Sequence, residues 1–206
     1  MAQAKDMSDA ARAEILERLQ RGRRSVAAPS YRHPFAADGL DGPFAEKARG
    51  ANAQVSHIAD AEQAPEAIWA ALREANAAPR LHLPPESRLN ALPWQRAAGL
   101  TILHERPSGR DAALSEADYG IAETGTLVFF SGRKTPSSWH FLPGYEFVLM
   151  PRDRILPRFE EVISRMGGTM PATMNLVTGP SRTADIEQTI ERGAHGPREL
   201  HILLVG

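Results

Sequence analysis

The stretch YEFVLMPRDRILPRFEEVISRMGG, Tyr145–Gly168, decides the fold. Tyr145 to Met150 is an almost unbroken apolar run, the pattern of a strand covered on both faces. Beyond it, Ile155, Phe159, Val162, Ile163 and Met166 recur at helical spacing until Gly167 and Gly168 end the run. A buried strand followed by a packing helix is the unit from which parallel sheets are built.

The same alternation continues outward from this stretch. Toward the C-terminus, Met174 to Thr178 reads as a strand, followed by a loop through GPSR, a short helix carrying Ile186 and Ile190, a turn at GAHGP and the strand LHILLV. Toward the N-terminus, FAEKARGANAQ reads as a helix, Gln54 to Ile58 as a strand, and APEAIWAALREAN as an amphipathic helix turning Ile68, Trp69 and Leu72 inward. Arg80 to Leu83 and Gly99 to His104 are brief strands, the first closed by Pro84 and Pro85, the second followed by a turn rich in Ser, Gly and Asp. In IAETGTLVFFSG the polar Glu123, Thr124 and Gly125 interrupt an apolar segment, as a bulge or tight turn between two strand halves would. Strands alternating with helices predict a three-layer α/β/α sandwich with a mainly parallel sheet.

Ahead of this lies SDAARAEILERLQRGRR, a helix that Ser8 or Asp9 can cap, with Ile15, Leu16 and Leu19 as a narrow apolar stripe. Gly22 to Pro43, rich in proline and glycine, reads as an arm. Residues 1–43 are therefore expected to form a helix and extended arm, and residues 44–206 one α/β domain.

Composition narrows the function classes. The 24 Lys and Arg against 25 Asp and Glu leave a net charge of -1, so a nucleic acid is not the expected partner. The absence of cysteine excludes thiolate-ligated iron–sulfur clusters, disulfides and a thiol nucleophile from this chain. Met1 to Asp9 lacks the apolar run of a signal peptide, and no segment approaches the ~20 apolar residues that span a bilayer. A cytoplasmic location is the expectation. The seven histidines show no HExxH or short paired spacing, so no metal site is expected. Patterns of the GxGxxG, GxxxxGK[ST] and GxSxG types are missing too.

Two constellations and one residue carry chemistry. GPSRTADIE, Gly179 to Glu187, lies between a strand and the expected helix, where α/β sheets bind ligands. Gly179 is conformationally permissive, Ser181 and Arg182 supply donors, and a helix start would add free N–H groups, a set suited to a carboxylate or phosphate. Asp185 is as readily an N-cap, at capping-box spacing from Gln188, and Asp185 and Glu187 would themselves repel an anion. Arg182 thus carries most of the anion argument. Glu123 is either a desolvated carboxylate in an apolar segment, able to act as acid, base or nucleophile, or an exposed turn residue beside Thr124, Gly125 and Thr126. His195, between glycines before the last strand, can reach a ligand or stabilise its loop. Arg133, Lys134, Ser137, Ser138 and His140 surround Trp139 in a polar stretch that reads as a connecting loop rather than a lid.

Taken in order and spacing, GIAETGTLV, TPSSWHFLPGYEFVL, NLVTGPSRTADIE and GAHGPRELHILL resemble the LUD domain of the lactate utilisation protein C family. The likeness runs from about Tyr119 to Gly206 and more loosely back to Phe44. It implies a fold similar to the sugar-phosphate isomerase and CoA-transferase superfamily. It also implies a subunit required to oxidise L-lactate to pyruvate together with iron–sulfur partner proteins, as part of an L-lactate dehydrogenase complex. The clusters would then reside in the partners, with no cofactor on this chain. Carried over from the family's motifs, Glu123 and His195 are candidate catalytic residues, and Thr124, Gly125, Thr126, Gly179, Ser181, Arg182, Thr183, Asp185, Glu187 and Gly196 candidate ligand contacts. One departure stands out: after Leu142 and Pro143, relatives often carry histidine where this chain has Glu146.

Three functions follow as expectations: a subunit binding a small carboxylate or other anion near Arg182, an acyl or CoA transferase with Glu123 as nucleophile, or a scaffold whose N-terminal helix and arm dock onto the iron–sulfur partners.

Overall fold

The computed structural model describes residues 2–21, 39–85, 87–132, 136, 138–167, 171–184, 190–192 and 196–206. The chain divides into two compact units, Met1–Pro34 and Phe35–Gly206. The first contains helix α1 (Ala2–Arg21), laced by Glu14–Arg18 and Glu17–Arg21 ion pairs at i,i+4 spacing. Ile15 and Leu16 of its expected apolar stripe are exposed, and the Leu19 side chain lies outside the described residues.

The second unit opens with α2 (Asp41–Gly50), three residues earlier than its apolar pattern suggests. Pro43 falls in the first turn, where its missing N–H has no intrahelical partner to lose. There follow β1 (Gln54–Ile58), α3 (Ala64–Glu74), β2 (Arg80–His82), 3-10 turns at Arg88–Ala91 and Trp94–Ala97, β3 (Thr101–Leu103) and β4 (Ala112–Glu116). Next come β5 (Tyr119–Ile121), β6 (Thr126–Phe130), α4 (Ser138–Phe141), β7 (Tyr145–Pro151), a 3-10 turn at Arg152–Arg154, β8 (Ile155–Leu156) and α5 (Phe159–Arg165). The chain closes with β9 (Met174–Val177), β10 (Arg182–Ala184), β11 (Ile190–Arg192) and β12 (Glu199–Val205).

Six strands form one sheet in the order β1-β12-β7-β4-β2-β3, with every pairing parallel. The expected class, α/β with a mainly parallel sheet, is the class observed. Alternation along the central strands feeds two cores, one on each face. Phe147 and Leu149 of β7 and Leu114 of β4 pack with Ile68 and Leu72 of α3. Val148 and Met150 of β7 and Leu200, Ile202 and Leu204 of β12 pack with Phe44 and Ala48 of α2.

On that second face the structure adds what periodicity did not show, a four-stranded sheet in the order β8-β5-β6-β9. Its inner side contributes Leu127, Phe129 and Val177 to the α2 core, and its outer side packs Ile121, Val128 and Leu156 against Val162 of α5. The expected strand-turn-strand in IAETGTLVFFSG is the β5–β6 hairpin of this sheet.

Three local readings need correction. The helix expected to begin at Ile155 begins at Phe159, because Pro157 disfavours helical backbone at Leu156, and Ile155–Leu156 pairs with β5 instead. The helix expected to carry Ile186 and Ile190 is absent from its described part: Arg182–Ala184 and Ile190–Arg192 pair as an antiparallel hairpin, with Ile186 outside the described residues. Finally, β4, read as part of a turn-rich stretch, is a central strand with Ala112 to Ser115 buried. Alanine is a weak strand former, and its small side chain is chosen here by packing between two layers rather than by local preference.

Candidate functional site

The described parts of the polar motifs meet backbone. Gly125, at φ +67°, and Gly179, at φ +77°, adopt the left-handed conformation that favours glycine. A Cβ on Gly125 would run into the backbone of Lys47 and Ala48, and one on Gly179 into the carbonyl of Ala51. The ETGT and TGPS turns are thus pressed against the C-terminal end of α2 and the chain entering β1. Hydroxyls tie them together: Thr124 Oγ1 lies 2.6 Å from Thr126 Oγ1, which lies 2.6 Å from Thr178 Oγ1. Ser181 N–H donates to the Pro197 carbonyl at 2.8 Å, and a Cβ on Gly196 would meet Ser181 Cβ at 3.0 Å. This brings Thr124, Gly125, Thr126, Gly179, Ser181 and Gly196 into one packed region.

Glu123 takes the exposed of its two alternatives; its N–H donates to the Pro157 carbonyl and its side chain faces solvent, so the apolar surroundings expected for a nucleophile are not there. Arg182 and Thr183 lie on β10, paired with Arg192 and Glu191, which removes the helix start expected to offer N–H groups; their side chains are outside the described residues. Asp185, Glu187 and His195 lie outside the described residues altogether. The strand preceding the motif, β9, belongs to the antiparallel part of the four-stranded sheet, not to the parallel sheet whose carboxyl ends commonly hold ligands.

Those carboxyl ends do hold a cavity, of about 420 Å³, in the wedge between the two sheets. Its floor is Ser115, Glu116, Ala117 and Asp118 at the end of β4. Phe129, Phe130, Trp139 and His140 form one wall, and Pro84, Ser87, Arg88, Leu89 and Arg154 the rim. A volume in the ~300–1,000 Å³ range with apolar walls and a few convergent polar groups is the usual make-up of a small-molecule site.

Two guanidinium groups meet one carboxylate at the rim. Arg88 donates to Glu116 from Nε at 2.5 Å and also from Nη2, and Arg154 Nη1 donates to Oε1 of the same carboxylate at 2.9 Å. Donating to the Glu116 carboxylate raises the already high pKa of Arg88, so this cation persists at any working pH. Below the pair, Asp118 accepts the Phe130 N–H at 2.6 Å; burial pushes its carboxyl up, opposed by that hydrogen bond and by Arg154.

The inner wall contains a wholly buried carboxylate. Glu146 of β7 has no exposed surface, and its Oε1 lies 2.8 Å from His140 Nδ1 and accepts the Ser115 hydroxyl at 3.2 Å. Burial pushes its carboxyl up, opposed by His140. Oε2 is buried with no hydrogen-bond partner among the described residues. The His140 ring stacks on Phe129 with centroids 3.8 Å apart. Glu146 therefore has its partner in place, six positions before it.

None of these cavity residues was singled out from sequence as a site. Trp139 and His140, read as part of a connecting loop, lie on α4 and are buried against the cavity. One signal was present: Glu146 is a lone acid in a strand apolar on both faces, and such a group needs a partner. Nothing local joins Arg88, Glu116 and Arg154, which come from three separate segments. Among the described residues there is no group of three or more His, Cys, Asp or Glu able to hold a metal, and no helix long and apolar enough to cross a membrane.

Comparison with known proteins places this architecture. Similar chains include lactate utilization protein C of Halalkalibacterium halodurans, 33% identical over 110 residues that make up 50% of this chain and 47% of that protein. The protein of the same name from Geobacillus kaustophilus is 32% identical over 54% of this chain and 49% of its own length. An uncharacterised protein of Neisseria meningitidis is 39% identical over 46% and 42% respectively. The chain spans about half the length of these relatives. The crystal structure of a DUF162 family protein from Deinococcus radiodurans shares the fold, with a TM-score of 0.60 at 20% identity, covering 84% of this chain and all of that one. Residues 42–205, nearly the whole second unit, match the LUD domain, and the chain belongs to that family.

Proposed function

We propose that this protein serves lactate utilisation by binding a small carboxylate, lactate or pyruvate, in the cavity at the end of β4. The relatives called lactate utilization protein C supply the process. The observation that carries the reading is the convergence of Arg88 and Arg154 on one carboxylate at the cavity rim. Arginine forks recognise carboxylates through paired N–H donors, and here they stand at the solvent-facing rim above apolar walls. A second carboxylate can approach the same guanidinium pair from the lumen, whereas Glu116 holds both in place from the floor.

Isothermal titration with L-lactate and pyruvate tests this. Binding lost in Arg154→Ala and kept in Arg182→Ala is the expected result. Binding that survives Arg154→Ala and disappears in Arg182→Ala would move the site to the motif. No binding by the wild type, with lactate-dependent growth unaffected by Arg154→Ala, would end the carboxylate reading. For Glu123 as an acyl-transfer nucleophile, the apolar setting that motivated the role is not observed, since its side chain is exposed.

A second reading concerns α1, which forms a unit of its own and leaves Ile15 and Leu16 at 59% and 49% exposure. It is a docking element for the iron–sulfur partners that lactate oxidation requires, since this cysteine-free chain holds no thiolate cluster itself. Co-purification of those partners with chains lacking residues 1–34 checks it. Retention of both assembly and lactate oxidation would show that α1 has no such role.

A further inference from the structure

We infer that His140 is the proton-exchanging group of the cavity, positioned by the buried carboxylate of Glu146, and that the occupant presents a hydroxyl or carbonyl oxygen to its Nε2. The occupant's identity rests on the carboxylate reading above; the arrangement of His140 does not.

Two contacts orient the imidazole. Nδ1 lies 2.8 Å from Glu146 Oε1, and the ring face lies against Phe129 with 27° between planes. We assign the hydrogen of this contact to Nδ1, so that Oε1 accepts it and Nε2 keeps the lone pair. Since Nδ1 is committed to the strand behind it and the ring lines the cavity, Nε2 is the nitrogen that a ligand can meet. Carboxylates hold catalytic and metal-bound imidazoles in one tautomer in this same way.

Placing a carboxylate where no part of it is exposed is costly unless a cation develops beside it. When a ligand hydroxyl gives up its proton, the O–H bond breaks, its electron pair stays on the ligand oxygen as an alkoxide, and an Nε2–H bond forms from the imidazole lone pair. The wall then changes from a carboxylate and a neutral imidazole to a carboxylate–imidazolium pair with no net charge. Returning the proton to an oxygen reverses each change. Around the ring stand the carboxyls of Glu146 on β7 and Asp118 after β4, and at the rim Arg88 and Arg154 share the one carboxylate of Glu116, leaving one positive charge over. Ser115, which donates to the same Oε1, holds the carboxylate from β4.

The test uses the full chain without ligand first. In nitrogen-15 imidazole spectra, His140 is expected as the Nδ1–H tautomer with a slowly exchanging, downfield proton. That proton should disappear in Glu146→Gln and return in Glu146→Asp, with His140→Gln supplying the assignment. Diethyl pyrocarbonate, located by mass spectrometry, is expected to modify His140 through the cavity about tenfold faster than His201, which packs against Phe147 within the sheet and does not line the cavity. An Nε2–H tautomer, or a His140 no more reactive than His201, would overturn the inference and leave a core histidine. Adding L-lactate then separates the two claims. Protection of His140 supports both, while a reactive His140 that lactate fails to protect counts against the carboxylate reading alone.

Discussion

The motif region around Gly125 and Gly179 and the cavity region around Glu116 use polar sequence in opposite ways. In the first, threonines and glycines bring three chain segments so close that backbone touches backbone, and the hydroxyls bond to one another. In the second, charged groups from separate segments gather around a hollow, Glu116 paired at its edge and Glu146 paired behind its wall. The difference teaches that a conspicuous motif marks where packing tolerates no substitute. A ligand site can be assembled from residues with no local signature at all.

The largest effect should therefore come from the motif glycines, and on stability. Gly125→Ala and Gly179→Ala each add positive-φ strain and a steric collision with α2 or the turn after it, together about 2–5 kcal/mol. Denaturant titration reads this directly. A variant that keeps its midpoint yet loses lactate-dependent function would reverse the comparison and make the motif the working site.

A slightly smaller effect belongs to the sheet between the two regions. Burial lowers the pKa of His201 on β12 from 6.5 to about 4, and its ring lies 4.8 Å from that of Phe147. The folded protein prefers the neutral imidazole. The stability His201 confers is thus present above pH 6.5 and lost as the pH falls through about 4. Compared with His201→Leu, the wild type should lose about 2–3 kcal/mol more between pH 7 and pH 4. The raised carboxyls of Glu146 and Asp118 act the other way, stabilising the fold at low pH, but they are common to both proteins and drop out of the difference. Equal acid sensitivity in the two proteins would show that His201 titrates normally.

The cavity's own test is affinity. Arg154→Ala should weaken L-lactate or pyruvate by about tenfold or more through the loss of one charge-assisted donor, with stability little changed because the side chain is 40% exposed. An unchanged Kd would place the carboxylate elsewhere. The smallest effect is expected at Glu123. As an exposed turn residue, Glu123→Gln should shift stability by no more than about 0.5 kcal/mol, and a large loss of lactate-dependent growth would restore it as a functional group.

How much of this was legible beforehand depended on the range of the signal. The course of β7 and β12 follows from apolar runs that a sheet buried on both faces requires. The β5–β6 hairpin follows from a polar break containing Gly125. By contrast, β4 was lost among alanines, and the Arg182–Arg192 hairpin was mistaken for a helix because Ile186 and Ile190 happen to be four apart. Among the site residues, Glu146 was visible as an anomaly and its partner was not.

The sequence by itself determined the family, the parallel α/β class and the absence of a thiolate-bound redox centre, because composition and hydrophobic period record which faces are buried and which chemistry is missing. The tertiary structure alone decided that the motif glycines pack against α2, that Arg88 and Arg154 close on Glu116, and that His140 meets Glu146 beside a cavity. Such convergence depends on strand order, register and crossovers, which bring together residues 28 and 38 positions apart at the rim. No local pattern of side chains carries that information.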